Sequence, residues 1–387
     1  MKTANPISHF PYPTPHNSNP KVVIVHDWLT NMGGAENVVL AMHDAFPDAP
    51  IYTSTYMPEN MPAFKNLDVR TTSLQNLPKP FRKLHKFFPM LRVRAFKKLD
   101  LSEFDIILSV SSAESKQVQK TRPDQVHICY CNTPIRYYWS HYKEYRTNPG
   151  FGKLNWLVRL AMPLMVPALK KADYDAAQKI DVFIAISTEV QKRIKKYYGK
   201  TSTIIYPPVD VDRFEPARER SDYFVALGRQ VPYKRIDLAV LAATKLGIKL
   251  RVYGNGSEHQ RLVDMAGPTV QFFTDRFGDA SDNAVTKALN NAKGYIFPAE
   301  EDFGIVQVEA LAAGAPVIAY SKGGALDIVQ DGESGVLFHS QTVDAVVDAI
   351  KRCEQIDFLP GTLRRKARRF DKSLFITKIR KIVDSSW

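Results

Sequence analysis

Residues 297–319 read FPAEEDFGIVQVEALAAGAPVIA, and this stretch decides the fold class. An apolar strand ends at Pro298, an acidic loop follows, and a helical pattern from Gly304 to Ala313 ends at Gly314 before a second apolar strand. A strand, a helix and another buried strand in this order predict parallel strands covered by helices on both faces. Such sheets bind ligands beyond the carboxyl ends of their strands, so we expect functional residues in the loops that follow strands.

Short apolar runs alternate with helical patterns on both sides of this stretch, and they form two series. The first series predicts strands at Val22–Val25, Ile51–Thr53, Asp105–Val110, Val126–Tyr130, Val182–Ile186 and Thr203–Ile205. The second predicts strands at Tyr223–Leu227, Lys249–Tyr253, Val270–Phe273, Gly294–Phe297, Pro316–Ala319 and Val336–Phe338. Between them, Tyr206-Pro207-Pro208 predicts a stiff linker. The expected fold class is α/β, with two doubly wound, Rossmann-like domains.

The domain limits follow from these series. Residues 1–20 hold five prolines among polar residues and no signal-peptide pattern, so a disordered lead is expected. We expect the first domain over 21–206 and the second over 207–362. A last helical stretch, Leu363 to Val383, lies in the remaining segment 363–387. Composition leaves open whether this helix crosses back to the first domain.

The formal net charge of +13 is clustered along the chain. Residues 79–98 hold eight cations and no acid, with aromatic and aliphatic side chains between them. This pattern suits an anionic membrane surface, and no zinc-finger or RNA-recognition signature favours nucleic acid as the partner. The second basic cluster, at 364–369, can equally be a solvated face.

Two further features bear on the compartment. The chain has no uninterrupted apolar run of about 18 residues, so no transmembrane helix is predicted. Cys129, Cys131 and Cys353 provide neither a disulfide framework nor a zinc site, and we expect reduced core thiols. Together with the basic segment, these features predict a cytoplasmic protein, peripheral at the inner face of the cell membrane.

Candidate phosphate-binding groups follow the first strand of each series. Gly33 and Gly34 stand at a strand–helix junction, where a backbone can approach a phosphate, although the pair can also be a simple turn. Arg229 and Lys234 follow the first strand of the second series. Two fixed cations there would stabilise charge developing on a diphosphate leaving group; the alternative is solvated surface charge.

Two acids stand out within 297–319. Glu301 lies in the loop before the helix, where an acid can also simply compensate the helix dipole. Glu309 lies inside the helix among apolar residues, so we expect it to accept hydrogen bonds from a ligand hydroxyl or from protein donors. Gly323 and Gly324, after the next strand, predict another close backbone approach.

From about Lys21 to the C-terminus, the chain resembles the GT-B glycosyltransferases of family 4. The resemblance rests on three segments that agree with the family in order and spacing: Gly33-Gly34, Gly228-Arg229…Lys234 and Glu301…Glu309 with the following Ala310–Ile318. Within the family, Val25–Leu29 and Tyr206–Asp210 are similar to bacterial mannosyltransferases of surface-polysaccharide assembly.

The resemblance implies sugar transfer in a cleft between the two domains, with retention of anomeric configuration and without a metal or cofactor. The departing phosphate would serve as the base. The implied donor is a sugar nucleotide, foremost GDP-mannose, and the acceptor is lipid-linked or a saccharide. The resemblance implies that Arg229, Lys234 and Glu301 are the catalytic residues. Arg229 and Lys234 would bind the diphosphate, and Glu301 would hold the sugar together with the backbone of Phe303, Gly304 and Ile305. The other implied roles are ribose binding by Glu309, diphosphate and acceptor contacts at Gly33 and Gly34, and sugar or acceptor contacts by Asp27 and Asn132.

One position departs from the family pattern. Related mannosyltransferases carry a histidine near the sugar after the strand equivalent to Val126–Tyr130, whereas this chain has Asn132. An amide can hydrogen-bond a sugar hydroxyl, but it carries no charge and transfers no proton. The substitution leaves open a slow enzyme, an altered donor or an inactive protein.

Three functions therefore stay open. The first is a transferase that uses GDP-mannose. The second uses a UDP-sugar, because these motifs contact phosphate, ribose and sugar but not the base, whose pocket we expect around Thr274–Gly278. The third is a non-catalytic sugar-nucleotide-binding partner of another transferase. Asn132 favours this third function, and the four intact residues Arg229, Lys234, Glu301 and Glu309 disfavour it.

Overall fold

The computed structural model describes residues 19–78, 82, 88–140, 142–147, 152, 155–274 and 283–387. The disordered lead expected over residues 1–20 therefore lies, up to residue 18, outside the described residues. The described residues form two parallel sheets with helices between successive strands, which confirms the α/β class.

The first sheet has seven strands in the order β3-β2-β1-β4-β5-β6-β7, and every neighbouring pair is parallel. Its strands are β1 (Val22–His26), β2 (Ile51–Thr53), β3 (Val69–Thr71), β4 (Ile106–Ser111), β5 (Val126–Cys131), β6 (Val182–Ala185) and β7 (Thr203–Ile204).

The second sheet has six strands in the order β10-β9-β8-β11-β12-β13, again all parallel. Its strands are β8 (Phe224–Leu227), β9 (Leu250–Tyr253), β10 (Val270–Phe273), β11 (Gly294–Phe297), β12 (Val317–Tyr320) and β13 (Gly335–Phe338). Alternate residues of β8 enter different cores, Val225 on one face and Ala226 on the other. Both faces of this sheet are therefore covered, which explains the continuous apolar runs.

All twelve predicted strands are confirmed, each to within one residue at either end. The sequence did not reveal β3, whose three residues are half-buried or exposed at the sheet edge. A short edge strand with an exposed arginine in its centre carries no continuous apolar signal.

The helices connect these strands and cover the sheets. They are α1 (Gly34–Ala45), α2 (Pro89–Lys97), α3 (Tyr142–Thr147), α4 (Asn155–Gln178), α5 (Thr188–Tyr198), α6 (Ile236–Leu246), α7 (His259–Asp264), α8 (Asn283–Asn291), α9 (Ile305–Ala312), α10 (Ala325–Ile328), α11 (Val343–Glu354), α12 (Pro360–Ala367) and α13 (Lys372–Ser386). In the part of the chain given above, none of them is both long and apolar enough to cross a bilayer.

The last helical stretch is divided, whereas the sequence predicted one continuous run. A 3-10 turn at Arg368–Phe370 separates α12 from α13, and Asp371 caps the new helix by accepting from the Ser373 N–H at 2.9 Å. Val209 exchanges backbone hydrogen bonds with this junction, at 3.0 Å each. This pairing with the interdomain linker explains the break.

The C-terminal helix α13 lies against α1 of the first sheet. Arg380 Nε donates to the Ala45 carbonyl oxygen at 3.0 Å, and Lys372 Nζ lies 2.5 Å from an Asp44 carboxylate oxygen. The chain thus returns to its first half after completing the second sheet.

The three cysteines are buried and free, as expected. Burial raises the pKa of the Cys129 and Cys353 thiols to about 12, so both stay protonated near neutral pH.

Candidate functional site

Each sheet reverses its strand order once, between β1 and β4 in the first and between β8 and β11 in the second. Open parallel sheets bind ligands in the crevice at such a reversal, beyond the carboxyl ends of the strands. The predicted residues follow these strands: Gly33 and Gly34 after β1, Arg229 and Lys234 after β8, and Glu301 after β11. The expectation that the site lies in these loops is therefore consistent with the topology.

Lys234 and Glu301 are in direct contact, Nζ against Oε1, with side chains only 18% and 17% exposed. Burial, followed by the positive charges of Arg229 and Arg136, lowers the pKa of Lys234 to about 7. Lys234 is largely buried and Arg229 is exposed; the positive charges of Arg229 and Arg136 repel that of Lys234, and a bound polyanion would relieve this repulsion. This part of the site is suited to a diphosphate.

The loop after β8 has a defined backbone conformation that positions its cations. Residues Pro232–Lys234 form a 3-10 turn, and Arg235 follows with φ 50°, in the left-handed region. Such backbone costs about 1–3 kcal/mol and persists where surrounding contacts enforce it. Arg229 Nη2 donates to the Tyr233 hydroxyl at 2.9 Å across the loop.

Glu309 lies on α9, where Arg213 Nη2 donates to its Oε1 at 2.9 Å. Its side chain is 18% exposed and that of Arg213 is 38% exposed. The sequence predicted a ligand hydroxyl or a protein donor, and the structure supplies a protein donor. Because a carboxylate has further acceptor positions, the arginine does not prevent a ribose contact, which stays a prediction.

The glycine pair after β1 meets the second domain. A Cβ on Gly34 would lie 2.8 Å from Ile305 Cδ1, at the first position of α9. Glycine lets this loop approach α9 closely, since a larger residue would need the Ile305 side chain to move. The Gly33-Gly34 loop and the start of α9 are thus brought together, as the interdomain hypothesis requires.

Gly323 and Gly324 also permit a close approach, but the partner is the protein itself. A Cβ on Gly324 would lie 2.3 Å from Phe303 Cα, and its N–H donates to the Glu301 carbonyl oxygen at 2.8 Å. The pair therefore supports the backbone of the acidic loop from behind.

The sequence did not reveal an ion-pair cluster that joins the two domains. Asp302, 7% exposed, accepts from Arg136 Nη2 and Arg193 Nη1, each at 2.6 Å. Arg136 follows β5 and Arg193 lies on α5, so both cations come from the first domain. Asp302 and Glu301 are adjacent, so the link between the domains lies directly beside the Lys234 contact.

Asp27 was expected to contact the sugar or acceptor, and the structure shows a set of backbone partners for its carboxylate. It is 1% exposed, and its carboxylate accepts from the backbone N–H groups of Ser112, Ala113 and Ser115 at 2.7–2.8 Å. Three such bonds from the loop after β4 satisfy a buried carboxylate. Asp27 thus holds the loop after β4 beside the end of β1, and its sugar or acceptor contact stays a prediction.

Asn132 belongs to the same loop cluster. Its Nδ2 donates to Ser112 Oγ at 3.2 Å, and its side chain is half-buried. Ser112 in turn donates its N–H to Asp27, so the amide holds a loop as well as lying in the predicted sugar region.

His26 is a buried titratable group beside this cluster, 2% exposed. Burial acts to lower its pKa, but the Glu36 carboxylate, 3.4 Å from Nε2, together with Asp27 and the Val110 carbonyl oxygen raises the pKa overall. The sequence analysis did not single out His26, although it directly precedes the candidate residue Asp27.

The basic segment 79–98 is partly outside the described residues. Within α2, Arg92 is 2% exposed and pairs with buried Glu114, its Nε 2.7 Å from Oε2. Arg92 is therefore a structural cation and does not contact lipid, contrary to its place in the expected membrane surface. Arg94, Lys97 and Lys98 are exposed.

Two other expectations meet the limits of the described residues. The predicted base pocket around Thr274–Gly278 lies outside them apart from Thr274. Among the residues that are described, no group of three or more His, Cys, Asp or Glu side chains is arranged to hold a metal ion.

Two family models match the chain one after the other. The Glycosyltransferase Family 4 model matches residues 32–213, and the Glycosyl transferases group 1 model matches residues 209–370. The boundary between them falls in the linker between the two sheets.

Curated relatives match part of the chain. The GDP-mannose-dependent alpha-(1-6)-phosphatidylinositol monomannoside mannosyltransferase of Mycobacterium tuberculosis is 30% identical over 216 residues, 48% of this chain and 56% of that protein. The phosphatidyl-myo-inositol mannosyltransferase of Mycobacterium leprae is 28% identical over 228 residues, 54% of this chain and 60% of that protein. The chain thus spans about half the length of these curated relatives.

Solved structures match over nearly the whole length. The Anabaena protein Alr3699/HepE, in complex with UDP and glucose, has a TM-score of 0.66 at 16% identity and covers 95% of this chain and 100% of its own. Sucrose-phosphate synthase from Thermosynechococcus elongatus has a TM-score of 0.69 at 16% identity, covering 94% and 98%. At this identity the likeness shows the fold, which is GT-B. The chain belongs to the family 4, group 1 glycosyltransferases.

Proposed function

We propose that the chain is a retaining glycosyltransferase that moves a sugar from a nucleotide-diphosphate donor to an acceptor between its two domains. The observation that carries this proposal is the contact between Lys234 and Glu301, with Arg229 and Arg136 close enough to lower the pKa of Lys234. Neighbouring cations suit the diphosphate, and the adjacent carboxylate suits sugar hydroxyls.

In the proposed reaction the bond between the sugar C1 and the diphosphate oxygen breaks, and its electron pair stays on the diphosphate. Arg229 and Lys234 stabilise that charge. The acceptor oxygen forms the new bond on the same face of the sugar and loses its proton to a departing phosphate oxygen. No metal is needed in this scheme because fixed cations stabilise the leaving group. No protein base is needed because the departing phosphate oxygen accepts the proton.

The donor that we favour is GDP-mannose. The mycobacterial relatives at about 30% identity are GDP-mannose-dependent mannosyltransferases, which supports this donor, whereas the Anabaena structure holds UDP and glucose. A UDP-sugar is therefore the second candidate donor.

The proposed acceptor is lipid-linked or a saccharide in glycan assembly, and the proposed location is the cytoplasmic face of the cell membrane. The exposed cations of α2, Arg94 and Lys97, support contact with anionic lipid from the segment 79–98. A non-catalytic sugar-nucleotide-binding protein is the alternative that Asn132 favours, because its amide cannot supply the charge of a histidine.

A thermal-shift panel tests the donor class. We expect GDP and GDP-mannose to raise the unfolding temperature, because a ligand that binds only the folded state stabilises it. Lys234→Ala should lose most of that shift, and Lys249→Ala, 67% exposed on the same domain, should keep it. Larger shifts with UDP and UDP-glucose would indicate a UDP-sugar as the donor in place of GDP-mannose. No shift with any sugar nucleotide would contradict the proposal.

A further inference from the structure

The outer face of α4 exposes a cluster of large apolar side chains. Trp156, Leu157, Leu160 and Leu164 are 64%, 47%, 66% and 80% exposed. Trp156, Leu160 and Leu164 recur every four residues, so they form one stripe along the helix. In the part of the chain that the structure describes, no other helix exposes more than one large apolar side chain. A soluble protein rarely leaves such a stripe in contact with water.

The charges around the stripe have one sign. From Asn155 to Ala172 the chain carries Arg159, Lys170 and Lys171 and no acid. All three cations are exposed, although Lys171 pairs with Asp175 on the next turn. A second copy of the chain placed on this stripe would bring like charges together, whereas an anionic surface would complement them.

The inner face of the same helix supports the loop after β5. Val166 and Leu169 share a buried cluster with Ile135 and Tyr138, which lie in that loop. Asp173, fully buried, accepts from Trp139 Nε1 at 2.7 Å. This loop also carries Asn132 and Arg136. The helix α4 therefore packs against the loop that forms the first-domain side of the proposed cleft.

We propose that the stripe Trp156–Leu164 of α4 is a docking surface for an anionic lipid bilayer. The apolar side chains enter the boundary between headgroups and acyl chains, with the tryptophan ring at headgroup level, while Arg159 and Lys170 contact lipid phosphates. The helix lies in the interface plane and does not span the membrane.

This proposal deepens the proposed function, and it rests on it in one respect. If the acceptor is lipid-linked, docking through α4 brings the acceptor-side loop to the membrane surface. Binding to the bilayer itself depends only on the stripe and its charges. It can therefore fail or hold independently of sugar transfer.

Vesicle co-sedimentation tests the surface, with phosphatidylcholine vesicles that contain or lack about 30% phosphatidylglycerol. We expect the full chain to bind the anionic vesicles. Leu160→Gln with Leu164→Gln should weaken binding about tenfold or more, because two apolar side chains no longer enter the bilayer. The matched control is Leu359→Gln with Leu374→Gln, two leucines exposed elsewhere, 61% and 42%. The control should bind like the unchanged protein.

Tryptophan fluorescence gives a second readout that does not depend on the leucine variants. Anionic vesicles should shift the emission to the blue, and Trp156→Phe should remove that shift while sedimentation persists. The proposal is overturned if the unchanged protein ignores anionic vesicles at low salt, or if the two leucine pairs have equal effects. It is also overturned if the stripe forms a dimer that Leu160→Gln with Leu164→Gln disrupts and no vesicle binding occurs.

The same preparations separate this proposal from the donor proposal. The Leu160→Gln, Leu164→Gln protein should keep the full thermal shift with a sugar nucleotide. Vesicle binding without any nucleotide-dependent shift would contradict the proposed function alone. A nucleotide-dependent shift without vesicle binding would contradict the docking surface alone.

Discussion

Arg136, from the first domain, donates two hydrogen bonds to Asp302 of the second domain, at 2.6 and 3.1 Å. Asp302 lies between Glu301, which contacts Lys234, and Phe303 at the start of the glycine turn before α9. The residue that joins the domains is therefore part of the loop that is expected to hold the sugar. The contact between the domains and the proposed donor site therefore share this loop.

Removing the charge of Asp302 should loosen this connection. Asp302→Asn removes the carboxylate charge that Arg136 and Arg193 share across the domains, so we expect turnover to fall about tenfold or more. Steady-state rates with a saturating donor measure this effect. Asp331→Asn, which affects an exposed ion pair with Arg352, is the control and should change the rate little. An unchanged rate in Asp302→Asn would mean that the interdomain link has no part in turnover.

Donor binding should depend on pH through Lys234. In the free protein, burial and the positive charges of Arg229 and Arg136 lower the pKa of Lys234 to about 7, so the fraction of charged ammonium falls as the pH rises through that value. A bound diphosphate favours the charged form and raises the pKa, so affinity is highest below pH 7 and falls as the pH rises through it. Calorimetry with a sugar nucleotide at about pH 8, in buffers of different ionisation enthalpy, should detect proton uptake. Binding without proton uptake would contradict this linkage.

Arg136→Gln should shift that pH dependence upward. Arg136 is one of the two cations that lower the pKa of Lys234, and its removal lets the ammonium stay charged at higher pH. The midpoint of the affinity profile should rise, even though the link to Asp302 is lost. Arg146→Gln, an exposed arginine on α3, should leave the midpoint in place. Equal midpoints in all three proteins would show that Arg136 does not affect the pKa of Lys234.

Glu309→Gln should weaken binding of the nucleoside part of the donor. If the carboxylate accepts from the ribose hydroxyls, its replacement should cost about 1.5–3 kcal/mol in nucleoside diphosphate affinity and little in inorganic diphosphate affinity. Competition binding with both ligands gives the comparison. Glu354→Gln removes a carboxylate that is also paired with a cation, Lys293, and serves as the control. Equal losses for both ligands would place Glu309 outside the ribose site.

Asp27→Ala should act on stability. The substitution leaves three buried backbone N–H groups in the loop after β4 without their acceptor, at a cost of about 3 kcal/mol or more. Urea unfolding of the variant should show this loss, whereas Asp68→Ala, 55% exposed, should unfold like the unchanged protein. A stable Asp27→Ala protein with weakened acceptor binding would restore the contact that the sequence suggested.

The sequence contained most of the fold because short buried strands are continuous apolar runs. The sequence also indicated Lys234 and Glu301 as candidate site residues. Ligands bind where parallel strands end, and these two residues are charged side chains in the loops at such ends. The contact between these two side chains joins loops 67 residues apart, and the residue pattern alone carries no such distance information.

Two features could not be predicted from the sequence, for a physical reason. The link from Arg136 to Asp302 spans 166 residues, and its geometry depends on how the two domains meet. The role of Asp27 depends on a loop that folds back 85–88 residues later. For α4, only packing shows which face of the helix stays exposed.

The anomeric configuration of the first sugar released from the donor tests sugar transfer with retention most directly. The donor that gives the largest thermal shift is incubated with the protein, and proton NMR follows the released or transferred sugar before it equilibrates. With GDP-mannose, whose sugar is α-linked, we expect α-mannose to accumulate first and Lys234→Ala to release almost none. First appearance of the β-anomer, or no release from any sugar nucleotide with or without a lipid-linked acceptor, would contradict a retaining glycosyltransferase.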